Sequence, residues 1–419
     1  MKILFIYSDF MVGGIQTQIL EMCRYRNKKK QITRVLILER TYDEALLDAL
    51  KAVAEVRFLD EFIEESYVNF FLLKISRSLL PFYKYNQSSL FRFFDDVDVC
   101  HITNLFALYF ISGLLFFNKI KPLKLTLGLY HSNEVAVKEK EIFFYKKIIQ
   151  NIRYLDLRSV ISTSYKTSVN VAEAYKCNKA CVQELTVGVP RSSEFIYKNK
   201  SEVLNVLSIG RLAAFKTYNM HMIKVVKSLK EKGEAINYTI IGDGPIFSEL
   251  ESFISCSSLT ENVRIIKSIN YSDLSKYIDS ADLFVGSGTS LILASGRSCP
   301  SLIGIESNLD SNSYGFISDT KGISFNELGL EYPLESLEFF VKKIIDYSDE
   351  EYNELRKLDY KRSEDFSTEK FMMSFDEINK KSSLFGGMPT YIMFKVFYAL
   401  LYSLFFERFI LARKLAKKY

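Results

Sequence analysis

Short apolar runs alternate with amphipathic stretches through most of the chain. In the first half, the runs typical of strands lie at residues 3–7, 35–38, 56–59, 97–102, 123–129 and 160–162. The stretches between them have helical periodicity. Because parallel strands need crossover helices, this alternation predicts a parallel sheet that is covered on both faces.

The pattern starts again after Val187-Gly188-Val189-Pro190. Strand-like runs lie at residues 204–209, 238–241, 263–266, 283–285 and 301–305. A helix with one apolar face follows the first run and ends at Gly233, and Ser272 opens a short helix. We therefore expect two doubly wound lobes that face each other, with a ligand bound in the cleft beyond the strand ends.

The C-terminal region has a different character. Residues 335–381 read as amphipathic helices, the last of them capped by Ser367 or Thr368. Residues 390–406 are almost wholly apolar apart from Lys395, and the cations that follow are Arg408, Arg413, Lys414, Lys417 and Lys418. This run is short for a bilayer span, so we expect an interfacial helix on anionic lipid. Packing against the first lobe is the alternative.

A second segment mixes basic and aromatic residues. In residues 70–94, the cations Lys74, Arg77, Lys84 and Arg92 interleave with Phe, Leu and Tyr. Such a face suits a lipid-linked acceptor, and an amphipathic helix packed on the sheet explains it equally well.

Composition narrows the class of protein. The 419 residues are 48% hydrophobic and 25% charged, which is typical of an ordered globular chain. A net charge of +5 is too mild and too dispersed for a nucleic-acid-binding protein. Cys177 and Cys181 are near neighbours without a second pair, so no zinc site is predicted. The N-terminal apolar run is too short for a signal peptide, and we expect a cytoplasmic protein.

The clearest chemical feature is the basic loop that follows the strand at 204–209. Arg211 comes directly after Gly210, and Lys216 lies at the entrance to the next helix. Fixed cations together with helix N-terminal amides make a good diphosphate site, although surface cations are the simpler explanation. Gly242 and Gly244 follow the next strand and allow the backbone to approach a nucleotide closely.

These motifs, taken in order, resemble family four of the glycosyltransferases. The motifs are Gly210-Arg211 with Lys216, then residues 242–245, then Ala281–Val285, then a Gly-Thr-Ser loop before Pro300. The resemblance covers roughly residues 1–380 and implies an α/β protein of the GT-B fold, with two Rossmann-like domains across a cleft. The implied parts are an acceptor domain at 1–190, a nucleotide-sugar domain at 191–358 and a helix crossing back at 359–382. Beyond the resemblance, residues 383–419 are expected to form a basic, aromatic, membrane-associating tail with an amphipathic helix.

The resemblance also implies a set of site residues. His131, Arg211 and Lys216 would be catalytic, and the donor would contact Gly13, Gly14, Arg211, Lys216, Gly242, Gly244, Gly288, Thr289 and Ser290. Structural roles are the alternative. A strand-to-helix turn needs a glycine at residues 13–14 in any case, and a lone histidine such as His131 is usually structural. His101 resembles a second histidine of the family. No metal and no cofactor are implied.

The sequence departs from the family at two positions. Where the family carries glutamates, at the donor sugar and at the ribose, this chain has Gly286 and Leu293. Glu306 or Asp310 in the next loop could replace them. The diphosphate leaving group, held by Arg211 and Lys216, would need no protein nucleophile in a retaining transfer.

The expected function is therefore a retaining hexosyltransferase. It would transfer a sugar from a UDP- or GDP-sugar to a lipid-linked or surface polysaccharide acceptor, as in lipopolysaccharide or capsule synthesis. We expect it to be peripheral on the cytoplasmic face of the plasma membrane. There are two alternatives. One is a non-catalytic GT-B protein that binds a nucleotide-sugar, a glycan or a partner enzyme, and the other is a sugar-nucleotide epimerase.

Overall fold

The chain folds into two units. The structure is a computed structural model, and it describes residues 1–67, 69, 77–118, 120–130, 135, 143–267, 269 and 273–402. The first unit comprises residues 1–185 and 372–419, and the second comprises residues 186–371. The boundary lies a few residues before the predicted position at 190, because Val189 N donates to Phe366 O in the second unit.

The first unit is built on a mainly parallel sheet. Its strands pair in the order β3-β2-β1-β4-β5-β6-β7. The strands are β1 (Ile3–Tyr7), β2 (Thr33–Ile37), β3 (Glu55–Phe58), β4 (Val99–Ile102), β5 (Leu123–Leu129), β6 (Val160–Ser162) and β7 (Gln183–Glu184). The helices are α1 (Gly14–Lys28), α2 (Glu44–Lys51), α3 (Gln87–Phe94), α4 (Leu105–Asn118), α5 (Phe143–Gln150) and α6 (Tyr165–Tyr175).

Helix α3 lies within the basic, aromatic segment at 70–94. Its Leu90, Phe93 and Phe94 are buried in the core of the first unit, whereas Arg92 is exposed. This part of the segment is thus an amphipathic helix packed on the sheet, and Lys74 lies outside the described residues.

The C-terminal residues complete the first unit. Helix α13 (Thr368–Lys381) begins in the second unit and ends in the first, and Ser367 caps it by accepting from Lys370 N. Strand β15 (Leu384–Phe385) then pairs antiparallel with the start of β5, and α14 (Thr390–Tyr402) follows. The buried face of α14 carries Ile392, Met393, Val396, Ala399 and Leu400. The predicted tail therefore packs on the first unit over these residues.

His101 is buried in the middle of the first sheet. Its Nδ1 lies 2.9 Å from Thr126 Oγ1, which donates to Asn379 Oδ1, so the ring donates at Nδ1. Nε2 lies 3.3 Å from the Tyr130 hydroxyl. Burial lowers the pKa of His101 to about 3, because the ring has no access to water to solvate its cation. His101 is thus a neutral structural residue.

The second unit has a parallel sheet in the order β10-β9-β8-β11-β12. Its strands are β8 (Leu204–Ile209), β9 (Ile236–Ile241), β10 (Val263–Ile266), β11 (Leu283–Gly286) and β12 (Ser301–Ile303), and the short pair β13 (Asn312–Ser313) and β14 (Glu335–Ser336) lies apart. The helices are α7 (Tyr218–Glu231), α8 (Phe247–Cys256), α9 (Leu274–Ser280), α10 (Gly288–Gly296), α11 (Leu337–Asp346) and α12 (Asp349–Ser363). The doubly wound α/β architecture predicted from the alternation is confirmed in both units.

Both faces of the second sheet are buried. Neighbouring residues along each strand, such as Val206 and Leu207 or Ile240 and Ile241, lie in separate apolar clusters on opposite faces. Gly233 ends α7 with a φ of +88°, as predicted. Ser272 lies outside the described residues, and α9 begins at Leu274.

The pKa of His101 predicts an acid-sensitive first unit. In the unfolded chain, His101 takes up a proton near pH 6.5, whereas the buried ring stays neutral down to about pH 3. The free energy of unfolding is therefore highest above pH 6.5 and decreases as the pH falls from 6.5 toward 3. Between pH 7.5 and 5.0 the wild type should lose about 2 kcal/mol more unfolding free energy than His101→Asn, which keeps the donor toward Thr126. Urea unfolding at both pH values measures this difference. Equal losses of unfolding free energy in the wild type and in His101→Asn would contradict this prediction.

Candidate functional site

The predicted donor-site residues of the second unit gather at one edge of its sheet. Because β9, β8, β11 and β12 are parallel neighbours, the loops after these strands lie side by side. The connections are residues 210–217 after β8, 242–246 after β9, Ser287 with the first turn of α10 after β11, and 304–310 after β12.

The first two loops touch through their backbones. Gly210 N donates to Ile241 O, and Leu212 N donates to Asp243 O, each at 2.9 Å. A Cβ on Gly242 would lie 2.0 Å from Gly210 O, and a Cβ on Gly244 would lie 2.3 Å from Leu212 O. The backbone that these glycines approach is thus the basic loop itself, and glycine at both positions sets where that loop lies.

This anchoring positions the two cations. Leu212 is buried in the core, whereas Arg211 beside it is exposed and Lys216 is partly exposed. Lys216 N donates to Ala213 O, and a Cβ on Gly210 would lie 2.8 Å from Lys216 Nζ. Among the described residues, neither cation forms an ion pair with a carboxylate, so both charges are available to an anion.

The third loop opens helix α10. Ser287 is the N-cap residue, yet its hydroxyl does not cap the helix and donates instead to Glu306 Oε1 at 2.7 Å. Thr217, the N-cap of α7, likewise makes no side-chain cap. The first-turn N–H groups of both helices are therefore left without a side-chain acceptor, as in helix termini that bind phosphates. Gly288, Thr289 and Ser290 form the first turn of α10.

The aromatic ring of Tyr218 joins the third and fourth loops to the first. The Tyr218 hydroxyl lies 3.3 Å from Ser287 Oγ, and a Cβ on Gly304 would lie 2.5 Å from the Tyr218 ring. Ser307 N donates to Phe215 O at 2.6 Å, next to Lys216. These contacts hold residues 215–218, 287 and 304–307 as one cluster.

The structure brings one of the two proposed replacement carboxylates, Glu306, to the cluster. Gly286 ends β11 and Leu293 lies partly buried in α10, so neither position offers a charge. Of the two proposed replacements, Glu306 contacts Ser287, whereas Asp310 is exposed and its N–H bonds Asn308 Oδ1. No sequence pattern links positions 287 and 306, because only the pairing of β11 with β12 places them together.

The remaining predicted residues belong to the first unit. Gly13 is the N-cap of α1 and Gly14 is its first residue, again with no side-chain cap. His131 lies outside the described residues. His221, in α7, has its Nε2 3.2 Å from Asn308 O and so holds the loop after β12. In the described part of the chain, no three His, Cys, Asp or Glu side chains are placed to hold a metal ion.

Comparisons with known proteins concern the same region. The sequence model of the group 1 glycosyl transferases matches residues 191–290. The amylovoran biosynthesis glycosyltransferase AmsK of Erwinia amylovora is 30% identical over 82 residues, which span 20% of this chain and 20% of AmsK. The alignment thus covers about a fifth of that relative.

Solved structures share the fold over about nine-tenths of the chain. HepE of Anabaena in complex with UDP has a TM-score of 0.63 at 13% identity, over 91% of this chain and 100% of HepE. A TarM mutant of S. aureus, in complex with fondaparinux, α-GlcNAc-glycerol and UDP, has a TM-score of 0.62 at 10% identity, over 90% of this chain and 99% of TarM. The chain therefore has the GT-B fold, and within it residues 191–290 are similar to the group 1 glycosyl transferases.

Proposed function

We propose that this protein is a retaining glycosyltransferase. It transfers a hexosyl group from a UDP- or GDP-sugar to a lipid-linked saccharide or surface polysaccharide, such as lipopolysaccharide or capsule. The observation that carries the proposal is the position of Arg211 and Lys216, two cations without a described carboxylate partner, on the edge where α10 begins uncapped. A diphosphate matches this combination of fixed charge and N–H donors.

The cations act on the leaving group in this proposal. As the sugar–phosphate bond breaks, negative charge grows on the departing diphosphate, and Arg211 and Lys216 stabilise it. The diphosphate oxygen then accepts the proton of the attacking acceptor hydroxyl, so the transfer needs no protein nucleophile, metal ion or further cofactor. We assign His131 to the donor sugar near the reacting carbon, as the family resemblance implies.

The similar proteins support the substrate class. HepE and TarM were both solved with UDP, and TarM also with a GlcNAc-glycerol. AmsK is named for the biosynthesis of amylovoran. These names favour UDP over GDP and a saccharide-bearing acceptor.

Lys216→Ala tests the diphosphate site. The variant should lose the thermal stabilisation by UDP, and transfer should fall by about 10²- to 10³-fold, because one stabilising contact to the leaving group is worth about 2–4 kcal/mol. Lys227→Ala is the matched control, since Lys227 is an exposed lysine on helix α7. Differential scanning fluorimetry with UDP, GDP and ADP, and product analysis by mass, provide the measurements. If Lys216→Ala keeps both nucleotide binding and transfer, Lys216 does not hold the diphosphate. If no nucleotide stabilises the wild type and Lys216→Ala leaves any activity intact, the enzyme proposal fails.

A non-catalytic binding protein is the second candidate, because Gly286 and Leu293 leave those positions without a charge. It predicts that wild-type protein binds UDP but yields no transfer product and no hydrolysed donor across a panel of UDP- and GDP-sugars. An epimerase would instead convert the donor into an isomer of equal mass, which chromatography separates.

We further propose that the enzyme works at the cytoplasmic surface of the plasma membrane. Among the described residues, no helix is both long and apolar enough to cross a bilayer. The outer face of α14, however, exposes Tyr391, Phe394 and Tyr398 at 54%, 64% and 67%. Aromatic side chains of this kind settle at the lipid interface, and five cations follow between residues 408 and 418 of the sequence.

The outer face of α14 gives a sharper test of membrane binding than truncation. Removing everything after Lys381 would also remove Phe385 and Val396, which are buried in the first unit. The triple change Tyr391→Ser, Phe394→Ser and Tyr398→Ser should lower binding to phosphatidylglycerol vesicles by at least about tenfold, because it removes the apolar area that enters the interface. Vesicle cosedimentation measures it.

The control for this variant is Leu309→Ser, Leu328→Ser and Leu334→Ser, which changes exposed leucines of the second unit. It should bind vesicles as the wild type does. Equal binding by both triple variants and the wild type would show that the outer face of α14 is not a membrane surface.

A further inference from the structure

Glu306 is the acidic side chain that the structure places against the donor loop. Its Oε1 accepts from the Ser287 hydroxyl at 2.7 Å, and Ser287 directly precedes the first turn of α10. Its backbone is fixed on both sides: Glu306 N donates to Asn326 O, and Ser307 N donates to Phe215 O. The carboxylate thus has a defined position beside the loop that carries Lys216.

The carboxylate has capacity left for a ligand. Among the described residues, Oε2 of Glu306 has no hydrogen-bond partner and no cation lies within ion-pairing distance of the group. The side chain is partly exposed, so a ligand can reach it. An ionised carboxylate only accepts hydrogen bonds, and it therefore pairs with a donor.

In a nucleotide-sugar, the hydroxyl groups are the hydrogen-bond donors that Glu306 can bind. Its diphosphate has no donor near neutral pH and would be repelled by Glu306, whereas Arg211 and Lys216 attract it. The hydroxyls of the ribose and of the transferred sugar flank that diphosphate and are donors. Resting on the proposed function, we propose that Glu306 binds a sugar hydroxyl of the donor, either on the ribose or on the transferred sugar.

Glu306→Gln tests this proposal with little change in shape. It keeps an oxygen to accept from Ser287 but loses the charge that strengthens the bond to a hydroxyl. Calorimetric titration would use three probes: pyrophosphate, UDP, and the UDP-sugar that the wild type binds most tightly among UDP-glucose, UDP-galactose and UDP-GlcNAc. Pyrophosphate should bind the variant at least as tightly as the wild type, because a nearby negative charge has been removed.

The other two probes identify the hydroxyl. A loss of about tenfold or more in affinity for both UDP and the UDP-sugar assigns Glu306 to the ribose. The same loss for the UDP-sugar alone assigns it to the transferred sugar. Unchanged affinity for both probes overturns the proposal.

Ser287→Ala separates binding from positioning. This variant removes the hydrogen bond to Glu306 but leaves the carboxylate, so its UDP and UDP-sugar affinities should stay within about threefold of the wild type. If it reproduces the full loss of Glu306→Gln, then Glu306 acts only through Ser287, and the proposal is overturned. A wild-type protein that binds none of the probes would instead refute the proposed function itself.

Discussion

The contact between the backbones of residues 210–212 and 242–244 is the constraint on which the candidate site depends. Only glycine lets the two loops approach, since a Cβ at position 242 would lie 2.0 Å from a carbonyl oxygen. The contact fixes the direction in which the chain leaves β8 and leads it into α7. Leu212 is thereby buried, and its neighbour Arg211 is left at the surface. The exposed charge is thus a consequence of backbone packing.

Buried acids stabilise the same sheet away from this edge. Asp282 is fully buried before β11, where it accepts from Asn205 N and pairs with Lys198. Asp359 of α12 accepts from Ser301 N and Ser318 N, and burial raises its pKa to about 7. These carboxylates accept from backbone N–H groups at the amino ends of β8 and β12. Glu306, at the carboxyl end of β12, is partly exposed and therefore suited to a ligand.

The sequence predicted the strands well because apolar runs determine them directly. The bounds of β1, β5, β6, β8 and β10 agree with the runs read from the sequence. The short strands β7 and β15 were missed, because two-residue ladders have no periodicity to detect. The basic loop was found from local residues alone. The contact of Glu306 with Ser287 was not, because it joins positions 19 residues apart through the pairing of two strands.

The C-terminal segment shows why an apolar run does not specify its partner. Apart from Thr390 and Lys395, residues 390–402 carry apolar or aromatic side chains around the helix, so the sequence is compatible with lipid and with protein. In the structure, one face of α14 packs on protein, because Ile392 and Val396 lie in the core of the first unit. Upstream, in α13, Asn379 accepts a hydrogen bond from Thr126, and Asp376 accepts one from Arg26. The first unit therefore needs residues from both ends of the chain. Because the inner face of α14 is used in this way, only its outer aromatic face is left for an interface with lipid.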